Sequence, residues 1–123
     1  IMLQPQLYGN QLFVGALRDN KFGHLIMCGL GGIYIEILND IQTRLAPVNI
    51  TEAHQMIQEL KTYKIIQGAR QQEPVNQNQF AKIICQLSAL CIAAPEISEL
   101  DLNPLLGNKN TVTAVDARVK IDK

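Results

Sequence analysis

Two stretches of this 123-residue sequence combine residue types and spacings that could do chemistry. The first is Met27-Cys28-Gly29-Leu30-Gly31-Gly32-Ile33-Tyr34-Ile35-Glu36, in which three of four positions are glycine and a carboxylate follows. Glycine lets backbone N–H groups crowd around one point, as phosphate cradles require, but tight hairpins use glycine as freely. Both readings stand on the spacing alone. The second stretch is Asp101-Leu102-Asn103-Pro104-Leu105, with Val115-Asp116-Ala117-Arg118 after it. A turn at Gly107-Asn108-Lys109-Asn110 that pairs Leu106 with Thr111 sets Asp101 opposite Asp116, with Asn103 diagonal to it. Directly opposed like charges destabilise a sheet. Solvation, neutralisation by Arg118 or a bound cation would each relieve them. Magnesium suits the last case, because it takes few protein oxygens and shares its shell with water and phosphate.

The elements that must position these groups follow from periodicity. Gln11 to Leu17 and His24 to Cys28 read as a hairpin around Arg18-Asp19-Asn20-Lys21-Phe22-Gly23. Ile33 to Leu38 is a third strand. Asn39-Asp40 then turns the chain into Ile41 to Leu45, closed by Ala46-Pro47. The period next becomes helical: Thr51 is an N-cap, and Ala53, Met56, Ile57 and Leu60 define a helix ending near Tyr63. Ile65-Ile66 is either a short extended piece or an appended turn before Gly68. Phe80, Ile83, Ile84, Leu87, Leu90 and Cys91 define a second helix, stopped by Ala94-Pro95. Ser98 to Leu106 and Thr111 to Ile121 are the last strands. The expected fold is α+β, a largely antiparallel sheet with two helices on one face.

Composition narrows the function classes. Hydrophobic residues at 47% and charged residues at 18% are those of an ordinary globular domain, and residues 1–123 form one domain with no internal boundary. Eleven basic residues balance eleven acidic ones, which leaves no field for nucleic acid or an anionic membrane. No apolar run approaches the ~20 residues that span a bilayer. Cys28, Cys85 and Cys91 all lie in apolar runs without Cys-x-x-Cys spacing. They read as buried thiols, which points to the reducing cytoplasm. Ile1 opens the chain inside a strand-like stretch, as expected of a piece of a longer polypeptide.

Five ordered blocks add a resemblance. Gln11-Leu-Phe-Val-Gly15, Gly23 to Glu36, Arg44-Leu-Ala-Pro47, Glu99-Leu-Asp-Leu-Asn-Pro-Leu105 and Val115-Asp-Ala-Arg118 resemble the NDP-forming acyl-CoA synthetases, of the ADP-forming acetyl-CoA synthetase type. The match is to the C-terminal half of their ATP-grasp domain, and the succinyl-CoA synthetase beta chain is similar at a greater distance. The resemblance implies that Asn103 and Asp116 hold Mg2+ on the phosphates of ATP or ADP. It implies that Gly31 and Gly32 lie near those phosphates, with Glu36 after them and Arg44 as a further phosphate contact. Leu3-Gln4-Pro5 resembles the hinge beside adenine, which makes Gln4 a nucleotide contact. Gln11 falls where relatives carry a ribose-binding glutamate, and its amide accepts through one oxygen only.

The family reaction interconverts acyl-CoA, ADP and phosphate with the carboxylic acid, CoA and ATP through a phosphohistidine. Neither His24 nor His54 fits that carrier. The implied partners are therefore the nucleotide, the CoA-binding and phosphohistidine segments and the N-terminal ATP-grasp half. The isolated chain should fold and not turn over. The alternative is a non-catalytic nucleotide-sensing module, such as the synthetase-like part of a protein acyltransferase fusion.

Overall fold

The structure, a computed structural model, describes residues 10–31, 40–68 and 74–121. Strand β1 (Asn10–Asp19) returns through β2 (Gly23–Leu30) with Leu12 opposite Leu30 and Arg18 opposite His24. β3 (Ile41–Leu45) adds to the far side of β2. The last strands are β4 (Ile97–Gly107), β5 (Val112–Ala114) and β6 (Ala117–Ile121). β4 pairs with β1, and β5 and β6 pair one after the other along the outer side of β4. All pairings are antiparallel, as the sequence led us to expect. The expected strand Ile33–Leu38 lies outside the described residues.

Alternation sorts the sheet into two faces. Leu12, Val14 and Ala16 of β1 and Ile26, Cys28 and Leu30 of β2 are all buried on one of them. Helix α1 (Ile50–Gln58) covers that face with Ala53, Met56 and Ile57. Helix α3 (Gln77–Ala93) covers it with Phe80, Ile84, Leu87 and Cys91. Between them, Tyr63–Ile66 forms the one-turn helix α2, so the appended-turn alternative for Ile65-Ile66 is the one realised. The α1 cap is Asn49 rather than Thr51. Asn49 Oδ1 accepts from Glu52 N at 2.8 Å, and Glu52 Oε1 accepts from Asn49 N at 3.4 Å, a reciprocal box that Thr51 could not close. Ser88 on α3 joins the helices to the loop before α1 by accepting from Val48 N at 2.8 Å.

The last hairpin departs from the expected register. Gly107 pairs with Val112, and the turn is Asn108 to Thr111, held by Asn108 Oδ1 accepting from Asn110 N and Thr111 N. Gly107 stays in the strand because Leu12 Cδ1 would lie 2.6 Å from a Cβ there, closer than packing permits. Asp101 is therefore opposite Arg118, two positions beyond the expected Asp116. A shift of two keeps each side chain on its face, so the polar row survives while its partners change. The expected strand Thr111–Ile121 is also interrupted at Val115-Asp116.

Candidate functional site

The face away from the helices carries the polar row. Paired residues share a face, so Thr43, Met27, Gly15, Asp101 and Arg118 form one rung across five strands. Leu17, Glu99 and Lys120 belong to the next rung. Gln11, exposed, stands on this face at the opposite end of β1 from the hairpin tip.

Between the rungs Leu102–Ala117 and Leu105–Ala114 the sheet is irregular on both sides. Along β4, Leu105 faces Leu12 and Leu102 faces Val14, so Asn103 and Pro104 together oppose the single residue Phe13. This is a β-bulge, and it suits Pro104, which has no N–H for a central ladder. Across from it, Asp116 occupies the break between β5 and β6. The backbone of Asn103 and the whole of Asp116 thus meet where both strands leave regular pairing. At Asn103 the described part is the backbone.

Asp116 Oδ1 accepts from Ala117 N at 2.9 Å, and Oδ2 lies 3.9 Å from Arg118 Nε. The carboxylate is half exposed and keeps lone pairs open for an additional partner. Asp101 is different. Its Oδ1 is buried and has no hydrogen-bond donor among the described residues. Burial pushes its carboxyl up from the usual aspartate value; Arg118 pulls it down, and Asp116 and Glu99 push it up further. Arg118 thus neutralises the row in part, as one of the three sequence alternatives held.

The remaining expected residues distribute unevenly. Gly31 directly follows β2, and its N–H donates to the Gln11 carbonyl at 2.8 Å. That amide serves the sheet, so Gly31 does not lend it to a phosphate. Arg44 is not brought to the polar face. It pairs with buried Ile26 on the helix side, and its guanidinium holds Glu59 Oε1 at 2.5 Å and the Thr43 carbonyl at 2.8 Å. Gln4, Gly32 and Glu36 lie outside the described residues. His24 is buried with Nε2 2.7 Å from the Ile97 carbonyl, a structural role as expected. The thiols of Cys28 and Cys91 are buried, and burial first of all pushes Cys28 up to about 12, which makes it inert at neutral pH. Among the described residues no group of three or more His, Cys, Asp or Glu could hold a metal ion. A cation here would need phosphate oxygens to complete its shell. The Asp116 carboxylate, with lone pairs open, fits Mg2+, which takes few protein oxygens.

Residues 1–121 match the ATP-grasp domain family. The chain belongs to that family. This ATP-grasp chain is 44% identical over 111 residues to the beta subunit of ADP-forming acetate–CoA ligase I of Pyrococcus furiosus, covering 90% of the chain and 48% of that subunit. It is 39% identical over 121 residues to the beta subunit of ligase II of the same organism, covering 96% of the chain and 50% of that subunit. Among solved structures, a dinucleotide-forming acetyl-coenzyme A synthetase 1 of Ca. Korarchaeum cryptofilum superposes with a TM-score of 0.90 at 36% identity. That match covers 96% of this chain and 51% of the other. Another structure of that synthetase, at a TM-score of 0.88 and 36% identity over 96% of this chain and 55% of the other, was solved with coenzyme A and Mg-AMPPCP. Its phosphohistidine segment points towards the nucleotide binding site. The resemblance read from the five sequence blocks is thus the relationship that the comparisons return. The chain spans about half the length of the relatives named here.

Two features escaped the sequence reading. The bulge was signalled by Pro104 inside a central strand. Asp40 was read as part of a turn, and its partners lie far away in sequence.

Proposed function

We propose that this ATP-grasp chain is the C-terminal lobe of the ATP-grasp domain in a larger NDP-forming acyl-CoA synthetase, an acid–thiol ligase of the cytoplasm. The reaction converts acyl-CoA, ADP and phosphate to the carboxylic acid, CoA and ATP. The phosphohistidine, the CoA-binding part and the N-terminal ATP-grasp half belong to other segments. The observation that carries the reading is the register that sets the Asn103-Pro104 bulge opposite Asp116, at the break between β5 and β6. Support comes also from relatives named as ADP-forming ligases at up to 44% identity. A sensing module without catalysis has no such support.

Asn103 and Asp116 hold Mg2+ against the nucleotide phosphates. The metal supplies positive charge where negative charge develops on the transferring phosphoryl group. Gln11 faces the ribose hydroxyls from the same sheet face, and Gln4, Gly32 and Glu36 remain proposed nucleotide contacts. Gly31 contributes as the fixed start of the glycine segment, and Arg44 supports the scaffold from the other face.

The test uses the assembled synthetase. Asp116→Asn is expected to lower ATP formation from acyl-CoA by roughly 100-fold or more and to raise the magnesium requirement. Gln11→Glu should leave the maximal rate unchanged and tighten ADP binding. An Asp116→Asn enzyme with normal rate and normal magnesium dependence overturns the assignment.

A further inference from the structure

Asp40 is the described residue at which the glycine-rich segment rejoins the sheet, immediately before β3. Its side chain is buried, with 2% of the residue exposed. Oδ1 accepts from Lys61 N at 2.9 Å, and Oδ2 accepts from Thr62 N at 2.8 Å and Thr62 Oγ1 at 2.6 Å. All these donors come from the corner between α1 and α2, 21 and 22 residues further along the chain. A carboxylate buried this fully is retained only where its lone pairs are met, and here they are.

The backbone of Asp40 is fixed as tightly. Its carbonyl oxygen would lie 2.6 Å from a Cβ on Gly29, so only glycine at 29 lets the two strands approach this closely. Gly29 is itself paired with Phe13 and Ile41. On the outgoing side, Gly31 N is tied to the Gln11 carbonyl. Gly31 and Asp40, the described residues on either side of positions 32–39, are therefore both anchored.

We infer that Asp40 is a positioning residue for the nucleotide site. Its bonds to Lys61 and Thr62 fix where the glycine segment re-enters the sheet, and thereby set nucleotide affinity, without any contact to the nucleotide. This rests on the functional reading above, in which Gly32 and Glu36 are nucleotide contacts. The donors Lys61 N and Thr62 N cannot be turned, so an asparagine at 40 either loses bonds or sets its own NH2 against them.

The experiment measures steady-state kinetics of the assembled synthetase. Asp40→Asn is expected to raise KM for ADP by about tenfold, with kcat within about twofold and KM for acyl-CoA unchanged. Thr62→Val should give a smaller rise in KM for ADP, and Thr62→Ser, which keeps the hydroxyl, should restore it. Ser88→Ala removes a buried bond remote from this segment and serves as the control. It should lower Tm and leave KM for ADP alone. An unchanged KM for ADP in Asp40→Asn overturns the inference, as does an equal rise in Ser88→Ala. If Asp40→Asn does not fold, the Thr62→Val and Thr62→Ser pair decides: equal KM values overturn it. Asp116→Asn in the same assay separates the two levels. Its failure to affect activity removes the functional reading, whereas a damaged Asp116→Asn beside a normal Asp40→Asn removes only the positioning role.

Discussion

Asp40 and Asp101 are aspartates on opposite flanks of the β1–β2 hairpin, and both lose solvent on folding. At Asp40 burial alone would push the carboxyl up, but the Thr62 hydroxyl, the N–H groups of Lys61 and Thr62 and the charge of Lys61 outweigh it. The net result is a value below 3.8. At Asp101 burial meets no donor to Oδ1 among the described residues, two like charges stand nearby, and Arg118 compensates incompletely, so the value rises above 3.8. The same side chain thus takes opposite directions, and the deciding variable is whether donors point at it. A satisfied carboxylate belongs to the scaffold. An unsatisfied one marks a place where the fold tolerates cost, and in this molecule it sits beside the proposed metal ligands.

Substitutions can break that contrast. Asp40→Asn should cost the fold about 3 kcal/mol, since it loses charge-assisted bonds and leaves buried N–H groups facing an amide. Denaturant titration of the metal-free protein checks this. Gly29→Ala should be comparably harmful, at about 2 kcal/mol, because the clash is with the Asp40 backbone and not with a movable side chain. Asp101→Asn should go the other way. It removes a charge that lacks a donor and stabilises the metal-free protein by about 1 kcal/mol. Arg118→Gln, at a side chain 83% exposed, should change stability by less than about 0.5 kcal/mol.

The pH dependence sharpens the same contrast. The Asp40 value is depressed in the folded state. Its contribution is therefore full above the unfolded value near ~4 and is lost as pH falls through the lower folded value. The stability gap between the parent and Asp40→Asn should close below that point. The Asp101 value is raised, so the ionised group costs stability above its folded value, and protonation on the way down recovers it. In buffer with chelator, the advantage of Asp101→Asn should accordingly shrink as pH falls. Parallel behaviour of the two variants would abolish the distinction.

Much of this was legible in the residues. The helix from Phe80 to Cys91 follows from spacing. The core face of the β1–β2 hairpin does not, because Phe13 and Leu17 interleave with Leu12, Val14 and Ala16 and the run is apolar at both parities. Asn49-x-x-Glu52 is a capping-box pattern present in the sequence, and the preference for Thr51 overlooked it. The register error had one cause, since the Asn103-Pro104 bulge shifts β4 against β1 and β4 keeps one register with β5 and β6 across it. Gly107 was assigned to the turn, whereas Leu12 and Val75 pack where its side chain would be. That is a tertiary contact, which no local pattern announces. Asp40 escaped for the same reason: its donors are neighbours in space only. The polar face itself survived, because the register moved by an even number of residues.

The place of β1 in the sheet has a consequence for how the molecule is made. One neighbour of β1 is the adjacent hairpin partner β2, which can form as soon as it is synthesised. The other is β4, with Gln11 against Leu106, beyond β3 and all three helices in the sequence. The centre of the sheet therefore waits for those elements to be made, and closing so long a loop slows the rate-limiting step. Until β4 arrives, β1 presents an unpaired edge carrying Leu12, Val14 and Ala16 beside it, the kind of surface that nascent chains lose to aggregation. Release of the chain before β4 should leave material that chaperones hold and that does not complete this fold.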